Sequence, residues 1–312
     1  MTRRVEIGWP TLGTAVIAEL DERNAALAQS LWDALPYQSL QGHALVAGHH
    51  LYHVAPIHAL LHAPVTYKVD RREAPDGTLF ASRLQHLGIK YGRLTEPMPA
   101  VPIGQVLPEH LDTLNESGEA IWEALYRTKK PVIAEVRRAG EPGGHRLPRL
   151  TVADPEIDAL IGDVHAETER IWLRPPEDLA ALHEGCIPSG AGSFETVLTT
   201  LVFVNGETRP LGYACFAGLV RAAYEDMPLE SLRHMARVLA ATPAEFLGYC
   251  GLTKVHEFTT RALAGLDRIS SRDDFAALMA HLALYVNCVG GWNLQLFPWH
   301  LGDDLRRKGT LE

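Results

Sequence analysis

The chain has 312 residues, 46% hydrophobic and 21% charged, with a formal net charge of −9. That balance allows well-filled cores and a length of about two domains. It argues against a general binder of nucleic acid or anionic membrane, since both partners call for a basic face.

In chain order, residues 5–7 and 12–20 read as strands. Asp21 then caps a helix in which Ala28, Leu31, Trp32 and Leu35 recur at helical spacing until Pro36 ends it. A strand over 39–46, the turn Ala47-Gly48-His49 and a second strand over 50–54 form a hairpin signature. Further strands are expected over 65–69, 87–94 and 101–106, with a turn at Pro75-Asp76-Gly77 and a proline-rich loop around Glu96. The texture changes near Pro108. Beyond it, helical periods dominate: Leu111 to Leu125, a helix capped by Asp154-Pro155, one from about 194, one over 213–224, and one through Leu229 and Leu239. Thr242-Pro243-Ala244-Glu245 reads as a capping box opening another helix, and Ser271 with Asp274 opens the last. The charged tail from Asp303 is expected to fray. Two domains follow, 1–107 built from short strands and 108–312 a helical bundle, which makes the fold class α+β.

The four cysteines are widely spaced without a CxxC pair, as expected of buried small residues in a reducing cytoplasm. No signal-peptide pattern follows the first residues, and no uninterrupted apolar run of about 18 residues occurs. A cytoplasmic protein with no membrane partner is the expectation.

Chemistry concentrates early. His43, His49, His50, His53, His58 and His62 lie within one short window. Imidazole titrates near neutrality and can donate, accept or bind metal. The strand period of two places His50, Tyr52 and Val54 on one face and Leu51 and His53 on the other, which separates the histidines and disfavours a metal nest. No nucleotide fingerprint is present: Ser189-Gly190-Ala191-Gly192-Ser193 lacks the third glycine of GxGxxG, and no GxSxG elbow or HExxH occurs. An acid–base site demands less. His50, Tyr52, His53 and Glu96 are the candidate catalytic groups, and Lys90, Tyr91 and Arg93 are candidates to hold substrate carboxylates. For these to act together, the 90–96 segment must lie beside the histidine hairpin. Glycines and aromatic residues in the later helices, as in Gly248-Tyr249-Cys250-Gly251 and Phe297-Pro298-Trp299-His300, suggest close packing or a homo-oligomer.

The passage Leu20-Asp21-Glu22-Arg23-Asn24-Ala25-Ala26, running into Leu31-Trp32-Asp33-Ala34-Leu35-Pro36, resembles the bacterial cyclophilin-like small barrels, as does Pro102-Ile103-Gly104-Gln105-Val106. The prolyl isomerase catalytic pattern is missing, so isomerase activity is not expected. A cyclophilin-like β-barrel followed by a helical bundle resembles the cucumopine synthases. That resemblance implies an opine-forming enzyme that joins the amine of histidine to 2-oxoglutarate and closes a ring by a Pictet–Spengler reaction, with small carboxylates as its partners and with neither nicotinamide nor metal. A hydrolase or lyase on a small cyclic or amide-bearing carboxylate, and a non-catalytic ligand-binding protein, are the alternatives.

Overall fold

Alternating burial builds the first half of the molecule. β1 (Arg4–Trp9) buries Val5, Ile7 and Trp9, and β2 (Thr14–Leu20) buries Val16, Ala18 and Leu20. Each strand thereby offers one apolar face to a common core. The computed structural model describes residues 3–186, 191 and 197–303. Asp21 accepts the Arg23 backbone N–H and starts a 3-10 turn that runs into α1 (Ala25–Ala34). β3 (Tyr37–His43) and β4 (Gly48–Val54) form the expected hairpin, with Gln41 opposite His53 and His43 opposite Leu51. Then come β5 (Val69–Asp70), β6 (Thr78–Ser82), β7 (His86–Leu94), β8 (Pro99–Val106), α2 (Leu111–Glu123) and β9 (Ile133–Arg138).

The antiparallel order β2-β1-β9-β3-β4-β7-β6-β8 closes on itself because β8 also pairs with β2, giving an eight-stranded barrel; β5 pairs with the start of β8. Two strands escape the sequence pattern. β6 is buried on both faces and shows no alternation. β9 lies past the expected boundary at 107, yet it joins β1 to β3 and completes the barrel, so the barrel ends near 138 rather than at 107. The physical reason is the closure itself: without β9, β1 and β3 would each keep an unpaired edge. The strand expected over 65–69 shrinks to Val69–Asp70. Leu27, Ala28 and Leu31 of α1 and Leu114 and Ile121 of α2 fill the same core as the inward strand residues.

The rest is helical: α3 (Pro155–Ile171), α4 (Glu177–His183), α5 (Leu198–Arg209), a π-helical segment over Pro210–Phe216, α6 (Ala217–Tyr224), α7 (Leu229–Tyr249), α8 (Thr253–Gly265) and α9 (Arg272–Leu296). Asp154 and Ser271 cap as expected. Pro243 does not open a helix. It sits inside α7, whose buried stripe Leu232, Ala236, Ala240, Ala244 and Leu247 runs straight through it, and packing outweighs the lost backbone bond. Gly251, at φ +111, supplies the actual break. α9 is long and apolar enough to cross a membrane although polar residues interrupt it; 94% of its most apolar stretch is buried inside the protein, as in the core helix of a bundle. Cys215, Cys250 and Cys288 are buried, whereas Cys186 is exposed, contrary to expectation, just after Gly185 ends its turn at φ +70. Of the glycine-rich stretch 189–193 only Ala191 is among the described residues, and the tail beyond 303 lies outside them.

Candidate active site

The parity of β4 decides which histidines can meet. Leu51 and His53 point into the barrel, where His53 Nε2 lies 3.0 Å from the Tyr37 hydroxyl and burial lowers the His53 pKa to about 3. His50, Tyr52 and Val54 face the other way, and Val54 joins the core of the bundle. β7 runs beside β4 with Lys90 opposite His50 and Gly88 opposite Tyr52, so the 90–96 segment is where the site requires it. Gly88 makes room for an imidazole: a Cβ there would sit 2.4 Å from His50 Nε2. Gly92 does the same for His49.

Between this barrel face and the bundle lies a cavity of about 270 Å³. The barrel contributes His50, Tyr52, Phe80 and His86 to its wall, two loops contribute Arg71 and Glu96, and the bundle contributes Arg209 and Tyr213. Arg71 is buried, and its guanidinium donates to the Glu96 carboxylate while its Nε–H donates to the Glu96 carbonyl at 3.2 Å. The carboxylate remains 45% exposed, so one side of it is open to a ligand. His86 Nε2 is 3.0 Å from the Tyr213 hydroxyl, and the Tyr52 ring packs on His86 with centroids 4.7 Å apart.

Electrostatics keep these groups neutral. Burial, then the positive charge of Arg71, lowers the His50 pKa to about 4, and burial lowers that of His86 to about 3. Burial raises the phenols of Tyr52 and Tyr213 above their ordinary value, with Arg209 opposing in both cases. Near neutral pH the cavity thus holds uncharged imidazoles and protonated phenols beside a carboxylate–guanidinium pair. Arg209 is exposed and lies 5.9 Å from the Tyr213 ring centroid.

Of the residues expected from sequence, His50, Tyr52 and Glu96 meet at this cavity, while His53, Lys90, Tyr91 and Arg93 do not. Lys90 lies buried with its Nζ donating to the carbonyls of Arg72, at 3.1 Å, and Ala74, and lying 3.4 Å from the Asp76 carboxylate; it fastens the 70–77 loop. Tyr91 turns inward and lies 2.6 Å from His43 Nε2. Arg93 is exposed near the end of β7. The remaining histidines of the early window are dispersed: His58 lies 3.3 Å from the Pro148 carbonyl, and His62 stacks on Tyr224 at 3.6 Å. Arg71, His86, Arg209 and Tyr213 escaped sequence reasoning. Gly88 and Gly92 in β7 signal a close approach, but to His50 and His49 and to none of these four.

A family model described as the cucumopine synthase C-terminal helical bundle domain matches residues 157–296. Among solved structures, the chain is similar to McbB in complex with tryptophan, at 45% identity over 97% of this chain and 99% of that chain, with a TM-score of 0.94. No curated protein matches. The identity extends over nearly the whole of both chains, barrel and bundle alike, and the chain therefore belongs to the cucumopine synthase-like family and is a condensing enzyme of that kind.

Proposed function

We propose that the enzyme joins the amine of an aromatic amino acid to a carbonyl compound and closes a ring by a Pictet–Spengler reaction in the cavity between barrel and bundle. The observation that carries this reading is the Glu96 carboxylate, fixed by buried Arg71 and open on one side, facing a wall of neutral hydrogen-bonding groups. The chemistry asks for that set. The amine adds to the carbonyl carbon to give a carbinolamine. Its hydroxyl leaves as water, taking a proton, and an iminium forms. A ring carbon attacks the iminium carbon, making the new C–C bond, and a base removes the proton from that ring carbon to restore aromaticity. Glu96 is the base; Tyr52 and His86 are the hydrogen-bond donors that assist the departing hydroxyl. Arg209 offers a planar fork for a substrate carboxylate. No hydride or redox group takes part.

Phe80, Met98 and Leu294 make part of the wall apolar, which suits an indole better than an imidazole, and McbB is seen with tryptophan. Tryptophan is accordingly the first amine to test, and histidine with 2-oxoglutarate is the competing pair. Mass spectrometry after incubation with tryptophan or histidine and a panel of aldehydes and 2-oxo acids should reveal a product lighter than the summed reactants by one water and resistant to borohydride, as a cyclised amine is and an open imine is not. A panel that yields only reducible imine counts against ring closure.

A further inference from the structure

The π-helical segment Pro210–Phe216 places Tyr213 against the barrel, and such segments cluster at functional sites because one widened turn re-aims a side chain. The contact it makes is braced on both sides. Gln85, which precedes His86, is fully buried at φ +56, and its Oε1 accepts from Asn287 Nδ2 of α9 at 3.4 Å. Gly212, which precedes Tyr213, is pressed so close to the same Asn287 that a Cβ would lie 2.1 Å from its Oδ1. One α9 side chain therefore touches the residue that precedes each member of the His86–Tyr213 pair. The rings meet edge-on at 5.1 Å, which leaves the hydroxyl aimed at Nε2.

We propose that Tyr213 is a positioning residue: its O–H donates to His86 Nε2, fixing the imidazole proton on Nδ1 and so making His86 a hydrogen-bond donor of one defined tautomer. This rests on the condensation reading for the role of His86. A phenol is the better donor and a neutral imidazole nitrogen the better acceptor of the two, so the direction follows from ordinary acidities. The consequence is that the bundle, none of whose described residues form a barrel strand, sets the protonation geometry of a barrel residue.

Tyr213→Phe keeps the ring and removes the hydroxyl. In substrate-free protein labelled at histidine, the ¹⁵N spectrum of wild type should show His86 protonated at Nδ1 alone, and Y213F should show a mixture of tautomers. With the cyclising substrates, Y213F should lose ~10–100-fold in kcat, less than the ~10²–10⁴-fold of deleting a general acid or base, with KM changed less than about threefold. Asn287→Leu, which keeps the Tyr213 hydroxyl but removes the hydrogen bond to Gln85 beside His86, should loosen the pair and shift the same spectrum in the same direction, by less than Y213F. A wild-type His86 protonated at Nε2, or a Y213F spectrum identical to wild type, overturns the proposal. Absence of a cyclised product from wild type counts against the condensation reading instead, and the substrate-free spectra still decide the tautomer.

Discussion

Glu96 owes its orientation to Arg71, a residue only 7% exposed whose guanidinium holds both the side chain and the carbonyl of Glu96. A carboxylate fixed at two points is a base in a defined direction, and a neutral isostere in its place keeps the shape while losing the proton acceptor. Glu96→Gln is expected to lower kcat by ~10²–10⁴-fold with far-UV circular dichroism unchanged, measured by product formation under saturating substrate; retention of more than a tenth of the activity would assign the base elsewhere. At this scale the sequence was informative where strand parity applied. It paired His50 with Tyr52 and put His53 on the opposite face; His53, still a catalytic candidate from sequence, turns into the barrel against Tyr37 and leaves the site. The same parity sets Lys90 opposite in face to Tyr91 and Arg93, so these three could not have formed one carboxylate clamp. Arg71, Arg209 and Tyr213 stayed hidden because each reaches the cavity from a loop or helix whose placement depends on contacts distant in sequence.

At the scale of elements, β4 and β7 work as a pair in which one strand carries imidazoles and the other carries glycines beneath them. Gly88 and Gly92 lie under His50 and His49, and any side chain there would collide with a ring. Gly88→Ala should therefore push His50 out of the cavity wall while the ladder survives, because Gly88 needs space here and not an unusual backbone angle. The expected result is a fall in kcat/KM of at least tenfold with a melting temperature lowered by only a few degrees, in line with the ~1–3 kcal/mol of an overpacked site. An unchanged kcat/KM would show that the His50 ring position does not matter. β9 shows why some elements escape a sequence reading: buried Ala134 and Val136 alternate with half-buried Ile133, Glu135 and Arg137 as in a strand, but the stretch is short, sits among helical periods and has partners about a hundred residues or more upstream.

Buried histidines in every part of the molecule are held in the neutral form. Burial is the first cause that lowers His43, His50 and His58 to about 4, His53 and His86 to about 3, and His281 to about 2. In the unfolded chain these imidazoles take up protons near their ordinary value of about 6.5. Between that value and the folded values the unfolded state binds more protons, so stability rises with pH there and falls as the solution is acidified. Above about 6.5 both states are neutral and the effect vanishes. The urea midpoint is expected to be level from pH 8 to 7 and to drop steadily from about 6.5 toward 4; a level midpoint down to pH 5 would mean that the imidazoles have water or partners that let them charge in place. The groups lie in the barrel, in the bundle and between them, so acid should loosen all three together, visible as coincident transitions by near- and far-UV circular dichroism.

Closure by β9 also bears on how the protein comes into being. A nascent chain released as far as residue 107 holds seven of the eight barrel strands but leaves β1 and β3 each with a bare row of amides and carbonyls, ready to pair with a neighbouring chain. Only when residue 138 has emerged can the cylinder seal, and the pairings that seal it span most of the chain made so far, the kind of distant contact that forms slowly. A fragment of residues 1–107 should accordingly appear in the pellet on expression, whereas a fragment of residues 1–150, with the seam shut, should show the larger soluble fraction. Equal solubility of the two would mean that the edges find another way to protect themselves during synthesis.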